Sequence, residues 1–181
     1  MSHDRLSFRA LRGTEHKIKS KLIDFRFGGR AKGCVNIGEI LVGNANIMTN
    51  RELMLAFVSC INEHSVNGLA ELMSEDHTFI DAHGNQIVGK EKMIAGWRGY
   101  FQWFPDYSIE VSDVFEGDLS EAGQPFAMFG FAGGSFKGNS GASWRLPAAW
   151  KAVVKDGRIT FWQVFADTKI PFDIIERNVN A

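Results

Sequence analysis

Cysteine is nearly missing from this chain, with two in 181 residues, Cys34 and Cys60. Two cysteines cannot build a disulfide framework, and no metal-ligand spacing involves them. A reducing, cytoplasmic setting is the expectation. No apolar run approaches the ~20 residues needed to cross a bilayer, and the amino terminus lacks the continuous apolar segment of a secretory signal. No membrane role is expected. A basic surplus is lacking as well. The formal net charge is −1, and residues 48–181 carry eleven Lys/Arg against seventeen Asp/Glu, which argues against nucleic acid as a partner. Tyrosine is scarce, two against fifteen Phe and five Trp. Buried ring surface with few phenols suits a deep apolar cavity, and equally a well-filled core.

What is present divides the chain unevenly. Residues 1–47 hold nine Lys/Arg against four Asp/Glu, recurrent glycine and no sustained apolar period. A basic arm, an organelle-targeting peptide, a poorly ordered extension and translated sequence upstream of a natural start at Met48 all fit that composition. Residues 48–181 read as one domain.

Within the domain, Thr49 or Asn50 caps a helix over Arg51–His64, where Leu53, Met54, Phe57, Val58, Cys60 and Ile61 trace one stripe. A short helix, Leu69–Met73, leads into a strand that runs through His77–Gly84 and turns at Gly84–Asn85. A third helix runs from Gly89 to about Phe104 with Met93, Trp97, Tyr100, Phe101 and Phe104 on one face, and Pro105 ends it. The period then becomes two. Strands are predicted over Tyr107–Val114, Phe126–Phe131, Trp144–Lys155 and Arg158–Asp167, with the glycine-rich run 133–141 as a long hairpin loop. Asp156–Gly157 suits a two-residue turn, which would set Trp150 opposite Gln163 and Ala148 opposite Phe165. Ile170–Arg177 is a terminal helix. Three helices before a curved antiparallel sheet predict an α+β, cone-shaped fold with an apolar pocket between sheet and helices.

Strand alternation would set His77, Phe79, Asp81 and His83 on one face. Asp81 is the candidate general base, its pKa to be raised by an apolar cavity around Phe79 and Trp97. The competing reading is a carboxylate that faces solvent or caps the adjacent turn. His83 is the candidate partner or acid. His77 lies about 20 Å from His83 along a straight strand, and two ligands do not make a metal centre, so no metal and no cofactor are expected. Trp97, Tyr100 and Phe101 are candidate pocket walls, with Phe57 and Phe79. Trp150 and Gln163 on the last hairpin are candidates whose inward face the sequence leaves open. Tyr100 and Tyr107 are the phenols available as hydrogen-bond donors. Arg98 and Arg145 are candidate anion anchors, and Asp167 is either a second carboxylate or a cap for the last helix.

The segment Thr78-Phe79-Ile80-Asp81-Ala82-His83-Gly84, then Val88-Gly89-Lys90-Glu91 and the closing run Asp156–Thr168, resembles the nuclear transport factor 2-like superfamily. Within it the chain looks most like the SnoaL-like polyketide cyclase branch, across residues 49–178. The resemblance implies a cystatin-like fold, a small hydrophobic ligand and a homodimer formed through the convex sheet face. It leaves the activity open, because the superfamily includes isomerases, cyclases, epoxide hydrolases, dehydratases and proteins without catalysis. Asp81 falls where ketosteroid isomerases of this superfamily place their proton-abstracting aspartate. Their donor positions fall on Phe57 and on Ala148 or Ala149, which cannot serve an oxyanion. The last strand resembles that of limonene epoxide hydrolase, with Val164 where a carboxylate is expected. Two readings result: a cofactor-independent cyclase or isomerase-type enzyme with Asp81 as base, or a non-catalytic module that binds a ligand or dimerises.

Overall fold

The structure, a computed structural model, describes residues 48–179. The readings made on 1–47 lie outside the described residues. Helix α1 spans Asn50–Asn62 and opens on a capping box. The Thr49 hydroxyl accepts the Glu52 N–H at 3.2 Å, and the Glu52 carboxylate accepts the Thr49 N–H at 2.8 Å, so two otherwise orphaned donors are satisfied. The stripe from Leu53 to Ile61 is the buried face of α1. Helix α2, Val66–Leu72, starts three residues earlier than the apolar pattern suggests, because Ser65 caps it by accepting the Gly68 N–H.

Strand β1 is Met73–Ile80, β2 is Gln86–Val88, and helix α3 is Lys90–Trp103. Strands β3 (Ser108–Glu116), β4 (Gln124–Ser135), β5 (Ser143–Lys155) and β6 (Arg158–Ala166) come next, and helix α4, Lys169–Val179, closes the described chain. The sheet order is β2-β1-β6-β5-β4-β3. The architecture is α+β, with three helices before the long strands and a fourth after them. The sheet is mixed, which corrects the all-antiparallel expectation. Strand β1 pairs parallel to β6, with Phe79 beside Trp162. A parallel pair needs a long crossover, and here everything from β2 to β5 supplies it.

The run read as a hairpin loop is shorter than its glycines suggest. Strand β4 continues to Ser135, and only residues 136–142 form the connection, as two short 3-10 turns. Gly133 and Gly134 are ladder residues. A Cβ on Gly134 would lie 3.4 Å from the Tyr107 Cα, so glycine here admits a close backbone neighbour.

Asp156 (φ 51°) and Gly157 (φ 68°) form the two-residue turn, and Lys155 pairs with Arg158. One extra residue, Thr160, is then inserted between the Ile159–Val154 and Phe161–Val153 pairs. Its hydroxyl donates to the Val153 carbonyl at 3.3 Å. This β-bulge moves every later pair by one. Trp150 therefore faces Val164, Lys151 faces Gln163, and Ala148 faces Ala166.

Strand β5 alternates strictly. Trp144, Leu146, Ala148, Trp150, Ala152 and Val154 are buried on the helix side. They meet Phe126, Met128 and Ala132 of β4, Ile159 and Trp162 of β6, and the apolar faces of α1 and α3.

Candidate functional site

Between α3 and the inner sheet face lies a cavity of about 340 Å³. Helix α3 contributes Met93, Trp97, Tyr100 and Trp103. Phe104 and Tyr107 come from the turn after it. Strand β5 gives Trp144, Leu146 and Ala148, and β6 gives Trp162, Val164 and Ala166. Phe79 reaches the same wall because its register partner in the parallel pair is Trp162. Apart from the tyrosines and tryptophans, the polar side chains among the described lining residues are those of Asp81, His83 and Thr168. Phe172 beside them and Trp103 on α3 are the exposed large apolar residues of the lining.

Strand β1 stops at Ile80, and Asp81 belongs to the turn. Its carboxylate Oδ1 accepts the N–H groups of His83 (2.8 Å) and Asn85 (2.9 Å), and Oδ2 accepts the Asn85 side-chain amide (2.8 Å). An aspartate that folds back on the next backbone N–H groups offers the chain an alternative to the ladder, which ends the strand. The same contacts overturn the expectation of a raised pKa. Burial pushes Asp81 up, but the hydrogen bonds from Asn85 and His83 outweigh it and hold the carboxyl below its ordinary value. His83 does not pair with that carboxylate by its ring. Its Nε2 is hydrogen-bonded to the Thr168 hydroxyl at 2.6 Å, and its ring meets the Phe172 edge at 4.4 Å. Thr168, Pro171, Phe172 and Ile175 bring the start of α4 into the lining. Asp167 accepts the Lys169 N–H at 3.1 Å, the capping role.

Of the other pocket candidates, Phe79, Trp97 and Tyr100 line the cavity, and four do not. Phe57 is fully buried between Trp162 (5.0 Å) and His77 (6.2 Å). Phe101 stacks on His64 (4.4 Å) and on Trp97 (5.2 Å). Trp150 points inward but lies deeper in the core, beside Met128 and Val164. Gln163 is turned to the opposite sheet face by the Thr160 bulge, and its neighbours Trp162 and Val164 take the inward places. Arg145 is not at the cavity. It pairs with Glu110 at 2.7 Å and lies 3.7 Å above the Phe131 ring on the outer face. Arg98 is absent from the lining too. Trp144, Leu146 and Ala166 were missed as wall residues. The period-two pattern of β5 carried the signal for the first two, while Ala166 depends on the bulge.

His77 is buried and sits apart from the cavity. Its Nδ1 bonds to the Ile159 carbonyl at 2.8 Å, so Nδ1 carries the proton, and Nε2 has no partner among the described residues. Burial lowers its pKa below the ordinary 6.5. Below pH 6.5 the unfolded chain therefore takes up a proton that the folded chain refuses. Stability is expected to fall as pH drops below 6.5 and to level off beneath the folded value. Urea midpoints measured from pH 8 to pH 5 check this, and the slope should flatten in a His77→Gln variant.

Among the described residues, no helix is long and apolar enough to cross a membrane. The six-stranded curved sheet with helices on its inner face is the fold of ketosteroid isomerase-like and cystatin-fold proteins. A Catenulispora acidiphila protein with the ketosteroid isomerase-like fold, solved in complex with trimethylamine, superimposes with TM-score 0.56 at 19% identity, covering 65% of this chain and 86% of that one. A protein of Jannaschia sp. CCS1 assigned to the SnoaL-like polyketide cyclases gives TM-score 0.59 at 19% identity, covering 70% and 90%. An LEH-like epoxide hydrolase of M. tuberculosis gives 0.56 at 13% identity, covering 71% and 86%. No curated protein matches the chain by sequence. The family model described as the SnoaL-like domain matches residues 54–162. The chain belongs to the SnoaL-like domain family.

Proposed function

We propose that this SnoaL-like domain binds one small, largely apolar molecule in the cavity under α3. The observation that carries the reading is the cavity itself: about 340 Å³, walled mainly by aromatic and aliphatic side chains, with Asp81 the one carboxylate among the described lining residues. That size and lining match small-molecule sites in general. Neutral bicyclic ketones are expected to raise the melting temperature of the purified protein, while their carboxylate analogues, with no Lys or Arg among the described lining residues, leave it unchanged. Ligand at about a hundred times its Kd would add about 2.7 kcal/mol. A screen in which no apolar compound shifts the melt overturns the reading.

A second reading adds catalysis, a cofactor-independent cyclase or isomerase-type reaction with Asp81 as general base and His83 assisting. The lining position of Asp81 favours it. The lowered pKa opposes it, since an efficient base has a pKa near the working pH. Asp81→Asn preserves the shape and the Oδ1 acceptor that orders the turn, and removes the charge. Loss of all turnover in that variant with unchanged ligand binding supports catalysis, and unchanged turnover ends it.

The partner proposal is a second copy of this chain on the outer sheet face. Phe129, Ala149 and Phe165 are directly opposed across β4, β5 and β6, and Phe115 meets Phe129 at 5.8 Å. The three phenylalanines are about half exposed, at 48%, 49% and 60% for Phe129, Phe165 and Phe115. Arg145, Lys151 and Glu110 bring both charge signs to the same face, which lets the surface complement itself. Sedimentation equilibrium should give a dimer for the native chain and a monomer for Phe129→Asp. A native monomer at micromolar concentration refutes the proposal.

A further inference from the structure

The two tyrosines stand together in the cavity wall. Tyr100 and Tyr107 meet edge to face at 4.9 Å, and both residues line the cavity. Tyr107 is held from three sides. Its carbonyl is hydrogen-bonded to His64 Nε2 at 2.8 Å. Asp106 beside it accepts the N–H and hydroxyl of Ser135, and its ring lies 6.1 Å from Trp144. Tyr100 is wedged against Phe104 at 5.2 Å and Trp97 at 6.3 Å. Yet neither phenol oxygen has a hydrogen-bond partner among the described residues. Every polar contact of these residues runs through the backbone or through a neighbour. Neither hydroxyl is among the fully buried side-chain atoms left without a partner, which in this wall are the indole Nε1 atoms of Trp97 and Trp144, so both hydroxyls keep accessible surface from which to donate.

We propose that Tyr100 and Tyr107 form a paired donor site for one neutral acceptor oxygen of the ligand, and that the ligand class is an apolar ketone, quinone or lactone. The proposal rests on the binding reading above and sharpens it. Among the described residues, the only side-chain carboxylate in the lining is Asp81, whose oxygens are engaged by His83 and Asn85, and no Lys or Arg lines the cavity. A ligand carboxylate would therefore enter without a counter-charge. A carbonyl brings acceptor lone pairs and no charge, and its hydrocarbon body fits the aromatic walls. Burial raises both phenol pKa values, and the proximity of Tyr107 adds to the effect on Tyr100. Both groups therefore remain protonated donors at any physiological pH.

The test compares 1-tetralone with tetralin, which differ by the carbonyl oxygen. Binding is read by quenching of tryptophan fluorescence on the full chain, for the native protein and for Tyr100→Phe, Tyr107→Phe and the double variant. Native protein should prefer the ketone by about tenfold, the worth of one or two neutral hydrogen bonds. Each single variant should lose part of that preference and the double variant all of it, with tetralin affinity unchanged. The carbonyl stretch of bound 1-tetralone should lie at lower wavenumber in native protein than in either single variant, a shift that a packing role would not produce. Equal native affinity for the two probes, or a preference that survives in the double variant, overturns the donor site while leaving the cavity reading intact. Binding of neither probe to native protein overturns both. Should the double variant fail to fold, the single variants report the same ratio.

Discussion

Alanine at position 130 is expected to destabilise the domain by about 3 kcal/mol or more, at the upper end of what overpacking causes. Val111 of β3 is the register partner of Gly130, and the next pair joins Asp113 to Phe129, so Ser112 is an extra residue. The bulge drives the β3 backbone over Gly130. A Cβ there would sit 1.8 Å from the Glu110 carbonyl oxygen and 3.1 Å from the Val111 Cα. Both are main-chain atoms, which no rotamer change can move aside. Edge strand β3 must lift from β4, and its ladder hydrogen bonds go with it. Gly99→Ala is the control: nothing lies within 4 Å of its Cβ position in the middle of α3. That change should stabilise by about 0.8 kcal/mol through helix propensity. Urea unfolding of both variants decides the matter. A Gly130→Ala midpoint within error of native would show that β3 accommodates the methyl freely.

The same bulges explain which parts of the molecule the sequence disclosed. Helix α1 was readable because its signals are local: Thr49, Glu52 and one apolar stripe act within a few residues. The turn at Asp156–Gly157 was readable for the same reason. The pairing beyond that turn was not. An inserted residue leaves period two intact on either side of Thr160, so pattern alone assigns Gln163 to the cavity, and only the pairing with Val153 and Val154 shows otherwise. Asp81 presents a different difficulty. Its residue type is common to a general base and a turn-former, and the choice is made by Asn85, four residues on, whose amide and backbone both reach its carboxylate. The family resemblance located the segment and the fold. It could not say whether that carboxylate was committed to the backbone.

Phe57 lies one ring behind the cavity wall, packed on Trp162, and its truncation is the second large effect. Phe57→Ala should cost about 3–5 kcal/mol, the range for a buried phenylalanine. The side chain is 0% exposed, on the buried face of α1, and its ring meets those of Trp162 and His77. Trp162 is the shared wall: its ring packs on Phe57, and it also lines the cavity. Two outcomes are therefore distinguishable. If Phe57 only supports the core, the variant melts on the order of 10 °C lower while the relative affinities for apolar ketone and hydrocarbon hold, because the tyrosine hydroxyls are untouched. If Phe57 contacts the ligand, as its alignment with the isomerase donor position implies, the affinity for both probes falls even where the variant is fully folded. The geometry favours the first outcome. Phe57 is not among the cavity-lining residues, and a void opened there sits against the imidazole of His77, whose buried Nε2 lacks a partner among the described residues. Water entering that void would hydrogen-bond the imidazole, so the loss of stability below pH 6.5 should also become shallower in Phe57→Ala than in the native chain.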